Sequence, residues 1–230
     1  METLTGSKRL RFALLLGTLA AMGPFTIDMY LPSFPTIVDA FDTTASFVQV
    51  SLTATLLGIG LGQLILGPMS DVHGRKKPLL IALVVYFIAS LFGVFSPSIE
   101  FFIAARLIQG FAASSGIVIS RAIFRDLYSG RELTKFFALL MLIFNLAPIL
   151  APVFGGAVLA FTDWKGIFAV LSVIGLLLFA VVMWRMDETL PAQSRVPSNF
   201  SNTLKNFLSL LKNREFMGYA LAQGFIMAGI

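Results

Sequence analysis

Two ionisable residues stand inside long uncharged stretches of this sequence, and these residues are best suited to carry chemistry. Asp28 follows an apolar run that begins at Phe12, and Arg106 interrupts a second run from Phe101 to Ser120. A charge in a membrane-crossing segment costs at least about 2.5–3.5 kcal/mol, so each residue is a functional candidate. A buried carboxylate beside a fixed guanidinium is ionised when paired and protonated when its surroundings change. We therefore predict that Asp28 binds and releases a proton and that Arg106 is its electrostatic partner.

A simpler interpretation of both residues stays open. In it, Asp28 caps or solvates the outer end of its helix next to Pro32, and Arg106 bonds only to backbone carbonyl oxygens. Pairing is favoured because the two residues have similar depths. At 1.5 Å per residue, Asp28 lies roughly 10 Å below the outer end of its helix.

The sequence has few residues that could carry out other kinds of chemistry. The sequence has no cysteine and one histidine, His73, which excludes thiol nucleophiles, Cys-based zinc sites and multi-histidine metal sites. Asp28 has no carboxylate partner in the apolar stretches for paired acid and base work. We therefore expect no enzyme activity, no metal and no cofactor.

The composition places these residues in a membrane protein. Hydrophobic residues make up 57% of the chain and charged residues 13%, and the mean hydropathy is +0.87. In ordinary globular domains, hydrophobic residues make up roughly 45–50% and charged residues about 25%. An α-helix needs about 20 apolar residues to cross the hydrocarbon core, and six stretches meet this length. These stretches are Phe12 to about Val38, Thr43 to Ser70, Pro78 to Ile99, Phe101 to Ser120, Phe136 to Thr162 and Gly166 to Trp184.

The order of the stretches predicts three segments. Residues 1–186 form a six-helix transmembrane bundle, and residues 187–215 form a polar linker rich in Pro and Ser. Residues 216–230 are the start of a seventh helix. Because these residues are too few to span a bilayer, the chain is expected to be a fragment of a longer protein.

The basic residues predict the orientation in the membrane. All but two of the 17 Lys and Arg residues lie at the N-terminus or after the second, fourth and sixth stretches. The exceptions are Lys165 and Arg106. Since Lys and Arg concentrate in cytoplasmic loops, the N-terminus and the linker are expected in the cytoplasm. This distribution explains the net charge of +5, so no nucleic-acid partner is expected.

The loop between the second and third stretches carries a motif. Residues 67–78 read Gly-Pro-Met-Ser-Asp-Val-His-Gly-Arg-Lys-Lys-Pro. We expect Gly67 and Pro68 to end a helix and Gly74 to allow a tight turn. The loop resembles the signature loop of the major facilitator superfamily, although Val72 stands where that family often has arginine.

This resemblance implies a gate on the cytoplasmic side. In the family, the aspartate at the position of Asp71 contacts the other half of the carrier, and the basic residue at Arg75 pairs with an acid at Asp126. A loop that only sets the topology is the simpler alternative. The residues assigned to the gate are Gly67, Asp71, Gly74, Arg75, Lys76 and Asp126.

Further stretches resemble the bicyclomycin-resistance branch of drug:proton antiporters in this superfamily. They are Asp28 to Pro35, Arg106-Leu107-Ile108-Gln109-Gly110, and Ala147 to Gly156 on the fifth helix. In such carriers the arginine of the fourth helix is tied to proton transfer. Prolines remove helix bonds and glycines allow close packing, so the fifth helix can bend or pack tightly. Its motif residues are Pro148, Pro152, Gly155 and Gly156, with Ala151 where glycine is common.

The resemblance also implies a fold and a function. The fold is an all-α membrane protein, a six-helix half bundle of two inverted three-helix repeats, with the substrate cavity shared with a missing C-terminal six-helix half. The function is proton-coupled export of small amphipathic, drug-like compounds by alternating access in the bacterial inner membrane. A facilitator or uptake carrier for a native metabolite and a half without transport stay open as alternatives. The candidate cavity residues are Phe25, Tyr30, Gln49, Met141 and Asn145.

Overall fold

Long apolar stretches fold as helices because, in hydrocarbon, a helix satisfies its backbone N–H and C=O groups within one segment. The computed structural model describes residues 6–196 and 209–228, and these ranges contain helices and short connections but no β-strand. Six segments of the described residues are long and apolar enough to cross a membrane, as predicted, the first of them comprising α1 and α2. The helices are α1 (Gly6–Asp28), α2 (Phe34–Ala40), α3 (Ala45–His73), α4 (Lys76–Val94), α5 (Ile99–Leu127), α6 (Gly130–Leu159), α7 (Trp164–Arg185) and α8 (Arg214–Ala228).

Two spans run further than the apolar pattern predicted. The expectation that Gly67 and Pro68 end a helix is wrong, because α3 continues through both residues to His73. α5 likewise continues past the apolar stretch that ends at Ser120 and stops at Leu127, so Asp126 lies at the end of this helix. Proline interrupts one helical bond without ending the helix, and polar side chains on the last turns reach out of the apolar layer. Asp71, which was predicted in the loop, therefore lies on α3.

Local side-chain bonds and one turn fix the ends of three helices. Ser98 accepts a hydrogen bond from the N–H of Phe101 at the start of α5. Asp163 accepts bonds from the N–H groups of Lys165 and Gly166 at the start of α7. α3 ends at Gly74, whose φ of 88° lies in the left-handed region that glycine adopts without steric cost.

The central helix of the bundle is α5. It packs along α3, α4 and α1, while α4 also packs along α7 and α1 along α6. Close backbone approach makes the contact with α3 possible: a Cβ on Gly110 would lie 2.9 Å from the carbonyl carbon of Thr55. Small residues at such crossings let membrane helices pack without a gap. Side chains on α5 are therefore held on several sides.

The compact unit that contains the six spans extends beyond its last helix. α7 ends at Arg185, whereas the chain divides into two units between Arg195 and Val196. The physical reason is Glu188, whose carboxylate accepts hydrogen bonds from the backbone N–H groups of Arg75 and Lys76. The first part of the predicted linker is thus bound to the helices.

The second unit contains α8 (Arg214–Ala228), which begins two residues before the predicted start at Phe216. Residues 197–208, which make up much of the predicted linker, lie outside the described residues. So do residues 229–230 at the end of the predicted seventh helix. The cytoplasmic position of the linker stays a prediction.

Candidate functional site

The centre of the bundle holds Arg106, the bulkiest of the fully buried side chains in the described residues. Its Nη2 donates to the backbone carbonyl of Thr26 at 2.8 Å, and its Nη1 donates to Oε1 of Gln109 at 2.5 Å. Its Cζ lies 4.1 Å from the ring centroid of Tyr30 and 5.4 Å from that of Phe168. A buried guanidinium needs acceptors for its donors and an environment that favours its charge. Neutral oxygens and two aromatic faces provide both here.

A chain of hydrogen bonds extends from this arginine to α4. Gln109 donates from Nε2 to Oγ of Ser90 at 2.8 Å, and Ser90 donates to the carbonyl of Tyr86. Thr26 donates its hydroxyl to the carbonyl of Met22, so the hydroxyl of Tyr86 must be the donor in its 2.8 Å bond with Thr26. The network therefore joins α1, α4 and α5 with a defined direction for each bond.

The structure does not bring Asp28 and Arg106 into an ion pair: no N–O distance of 4 Å or less joins them within the described residues. Arg106 contacts Thr26 in the last turn of α1 and Tyr30 in the turn that follows this helix. Asp28 lies between them in sequence, about 200° round the axis from Thr26. Thr26 and Tyr30 are fully buried and Asp28 is half-buried. The alternative in which Arg106 bonds only to backbone carbonyls is also incomplete, because Gln109 accepts a bond through its side chain.

One nitrogen of Arg106 has no partner. Its Nε is buried and forms no hydrogen bond with any described residue. An unpaired buried donor costs about 1–3 kcal/mol, so the site retains an unused donor in its interior. The roles of Arg106 and Asp28 in proton coupling stay predictions.

Four of the five candidate cavity residues have exposed surface. Gln49 and Asn145 are exposed, while Phe25 and Met141 are half-buried. Asn145 donates from Nδ2 to the carbonyl of Met141 at 2.8 Å, and the ring of Phe25 lies 6.1 Å from that of Phe154. Phe25 on α1 and Phe154 on α6 thus form a common apolar surface across two helices. Substrate contact by these residues remains a prediction.

Tyr30 differs from the sequence expectation. It is fully buried, because Arg106 covers its ring and its hydroxyl bonds to Oγ of Ser51 at 3.3 Å. Ser51 donates its own hydroxyl to the carbonyl of Val48, so Tyr30 is the donor in that bond. The tyrosine supports Arg106 and does not line an open face.

The motif of the fifth helix lies within α6. Pro148 and Pro152 are inside this helix, which continues through both. A Cβ on Gly155 would lie 2.9 Å from the carbonyl carbon of Met29, whereas one on Gly156 would meet nothing within 4 Å. Only the first of the two glycines is therefore required for the close approach of α6 to the end of α1.

Three of the predicted gate residues, Asp71, Arg75 and Asp126, bond to one another together with Ser70, and we call these four residues the gate cluster. Arg75 donates from Nε and Nη2 to the two carboxylate oxygens of Asp126 at 2.8 and 3.2 Å. Its Nη1 donates to Ser70 at 2.8 Å and to Asp71. Burial lowers the pKa of Arg75, but the hydrogen bonds and charges of Asp126 and Asp71 raise it by more, so the net shift is upward. Gly67 lies on α3, and a Cβ at this position would make only an ordinary van der Waals contact with α5.

Sequence reasoning gave no role to Glu188. Its Oε1 accepts hydrogen bonds from the N–H groups of Arg75 at 2.8 Å and Leu190 at 3.0 Å, and its Oε2 accepts one from Lys76 at 3.2 Å. A Cβ on Gly74 would lie 2.8 Å from the carboxyl carbon of Glu188. An acidic residue soon after a membrane span was visible in the sequence, but backbone N–H groups carry no side-chain signal that identifies them as partners.

Comparison with known proteins gives the family. The family model described as Major Facilitator Superfamily matches residues 14–230. The chain is 54% identical to the "Uncharacterized MFS-type transporter YdgK" of Bacillus subtilis, over 98% of this chain and 56% of that protein. It is 38% identical to the "Bicyclomycin resistance protein homolog" of Haemophilus influenzae, over 95% of this chain and 55% of that protein. The chain therefore spans about half the length of these relatives.

A solved structure shows the same fold. The human organic anion transporter MFSD10 matches with a TM-score of 0.67 over 87% of this chain and 53% of that chain, at 21% sequence identity. The predicted all-α half bundle with six membrane spans is confirmed by this match and by the helices described above. The chain is a multi-pass bacterial membrane protein and belongs to the major facilitator superfamily, a family of secondary transporters.

Proposed function

We propose that this chain is the N-terminal half of a proton-coupled exporter of small amphipathic compounds. The exporter works by alternating access in the bacterial inner membrane, with its N-terminus in the cytoplasm and a second six-helix half that completes the cavity. The motifs on α1, α5 and α6 support this assignment, as does the relative named for bicyclomycin resistance. The basic loops support the orientation.

The observation that carries the proposal is the separation of Asp28 from Arg106. Asp28 is half-buried at the end of α1 and has no ion-pair partner within 4 Å among the described residues. A carboxylate in an apolar segment without a counterion favours its protonated form. A substrate that stabilises the ionised form on the same face displaces the proton. Proton and substrate then exclude each other at one residue, as antiport requires.

Arg106 has a supporting role in this scheme. Its charge is held by the buried Thr26 at the end of α1 and by Tyr30 in the following turn, so it stays in place while Asp28 changes protonation. The hydrogen bonds through Gln109 connect this charge to α4. A proton that leaves Asp28 therefore alters the field around a fixed cation rather than breaking an ion pair.

The gate cluster supplies the conformational part of the cycle. Its ion pair and hydrogen bonds join the ends of α3, α4 and α5 on the face predicted to be cytoplasmic. Contact with the second half closes this side, and separation of the halves opens it. The bonds within the cluster keep the three helix ends together in both states.

Transport by the full-length carrier that contains this chain tests the proposal. The probe is ethidium, a lipophilic cation. An imposed proton gradient drives its accumulation in everted membrane vesicles. We expect gradient-dependent accumulation that Asp28→Asn abolishes, whereas Asp39→Asn, which removes an exposed carboxylate on α2, leaves it intact. Counterflow of ethidium without a gradient then measures how much of the substrate binding in Asp28→Asn remains without the carboxylate.

Two outcomes would contradict the proposal. Ethidium movement by the wild type that does not respond to the gradient would exclude proton coupling and favour a facilitator. Gradient-driven accumulation by Asp28→Asn equal to that of Asp39→Asn would exclude Asp28 as the coupling residue.

A further inference from the structure

Glu188 binds the start of α4 with both carboxylate oxygens. The N–H groups of Arg75 and Lys76 belong to the first turn of α4, where a helix leaves four N–H groups without internal partners. A carboxylate at this end also meets the positive end of the helix dipole. The N–H of Leu190 bonds to the same carboxylate and fixes it within its own segment. Three backbone donors thus hold one side chain in place.

The contact between α4 and the segment after α7 is reciprocal. Lys76 donates from Nζ to the carbonyl of Met183 at 3.0 Å, in the last turn of α7. A cation is stabilised at the C-terminal end of a helix for the same reason that an anion is stabilised at the N-terminal end. The start of α4 is therefore bound at two points, to the last turn of α7 through Lys76 and to the segment after α7 through Glu188.

The turn between α3 and α4 is shaped for this contact. Gly74 has a φ of 88°, and a Cβ there would run into the carboxyl group of Glu188. Burial raises the pKa of Glu188, but the hydrogen bonds from Leu190, Arg75 and Lys76 and the charge of Arg195 lower it by more. The carboxylate is therefore ionised at neutral pH.

We propose that Glu188 is a positioning residue of the gate: it fixes the backbone from which Arg75 reaches Asp126. The guanidinium of Arg75 bonds to Asp126, Asp71 and Ser70, while the N–H of the same residue bonds to Glu188. The segment after α7 therefore moves together with the gate cluster when the carrier changes state. This inference rests on the transport function proposed above.

Transport kinetics of the full-length carrier give the first test. Glu188→Gln keeps the size of the side chain but offers only one acceptor oxygen. We expect it to lower the maximal rate of gradient-driven ethidium transport several-fold and to change KM less than about twofold, because the residues that Glu188 binds are not candidate cavity residues. Glu188→Asp, which keeps both oxygens, should recover part of the rate. Asp187→Asn is the matched control, since it removes the exposed neighbouring carboxylate.

Distance measurements give a second test that does not depend on transport. This chain has no cysteine, so spin labels at Lys77→Cys and Arg185→Cys report the distance between the start of α4 and the end of α7 once any cysteine elsewhere in the carrier is replaced. Both positions are exposed. We expect a broader distance distribution in Glu188→Gln and in Gly74→Ala, and an unchanged one in Asp187→Asn.

The two tests separate the possible failures. Unchanged distances in Glu188→Gln would overturn the inference, and so would broadened distances with a wild-type transport rate. If the wild type itself does not couple ethidium to the proton gradient, the proposed function fails, and the distances still decide whether Glu188 holds the turn. If Glu188→Gln does not fold, Glu188→Asp is compared with Asp187→Asn by the same distances.

Discussion

The guanidinium of Arg106 lies over the ring of Tyr30, with Cζ 4.1 Å from the ring centroid. An aromatic ring from the turn after α1 therefore meets this buried charge where a carboxylate was predicted. A ring face attracts a cation without accepting a proton from it, and the attraction grows when water is excluded. The fixed charge on α5 and Asp28, the proposed proton site at the end of α1, are thus separate and form no ion pair within 4 Å among the described residues.

The first prediction concerns this ring. Tyr30→Phe keeps the ring and loses the hydroxyl bond to Ser51, which should cost about 1 kcal/mol of unfolding free energy. Tyr30→Leu also removes the face beneath Arg106 and should cost about 2 kcal/mol more. Unfolding in mixed detergent micelles measures both. Equal losses in the two variants would mean that the ring contributes nothing beyond its hydrogen bond.

The second prediction concerns Arg106 itself. Lysine has a single nitrogen and cannot reproduce the planar contact with Tyr30 together with bonds to both Thr26 and Gln109. Arg106→Lys should therefore fold with a loss of roughly 1–3 kcal/mol, since one buried acceptor loses its donor. Its gradient-driven transport should fall far below that of Arg125→Lys, an exposed change on the same helix. Equal transport by the two variants would contradict a specific role for the guanidinium.

The third prediction uses two adjacent glycines on α6. Gly155→Ala would push a Cβ into the backbone of Met29 and should cost about 1–3 kcal/mol of unfolding free energy through overpacking. Gly156→Ala meets open space and should be neutral or stabilising by up to about 1 kcal/mol, the helix preference of alanine. Thermal unfolding of both variants in one detergent provides the comparison. A loss in Gly156→Ala as large as in Gly155→Ala would show that the α1 contact is not the cause.

The fourth prediction orders the two acids around Arg75. Asp126 accepts two hydrogen bonds with a side chain that is 16% exposed, while Asp71 accepts one and is 47% exposed. Water screens the more exposed pair, so Asp126→Asn should weaken the gate more than Asp71→Asn. Labelling of a single cysteine at Asn145, an exposed residue of α6, should accelerate more in Asp126→Asn. The reverse order would mean that Asp71 acts mainly through the second half of the carrier.

The fifth prediction is a pH dependence of Glu188. Hydrogen bonds lower its pKa in the folded state despite its burial, so its stabilising effect is present at neutral pH and is lost as the pH falls through the folded value. The charged residues that face it are Arg75 and Lys76 from the α3–α4 turn and Arg195 from its own segment. The difference in melting temperature between wild type and Glu188→Gln should therefore shrink on acidification below about pH 4. A constant difference would show that the charge of Glu188 is irrelevant.

The six spans could be predicted from the sequence because span length and hydropathy are properties of each segment alone. The sequence was also sufficient to select Arg106, since a charge in an apolar stretch is rare. The helix face on which Asp28 lies could not be predicted in this way. Depth follows from counting residues along an axis, but the face that a residue presents depends on which helices pack around α1.

The ends of the helices and the contact of Glu188 were missed for related reasons. An apolar pattern stops where the hydrocarbon stops, whereas a helix continues while its own backbone bonds are made, as α3 does through Gly67 and Pro68 to His73. The partners of Glu188 are backbone N–H groups at the start of α4, and every residue except proline has such a group. Only the tertiary fold determines which ones are free to bind it.

The order of synthesis bears on how the membrane accepts Arg106. Thr26 and Tyr30 precede it in the chain, and Gln109 follows three residues later on the same helix. Apart from the ring of Phe168, its contacts are therefore already in the bilayer or enter with it. An arginine at mid-membrane costs at least about 2.5–3.5 kcal/mol when it faces lipid. In the order of the chain, Thr26 and Tyr30 therefore offer partners to Arg106 before α6 and α7 have been made.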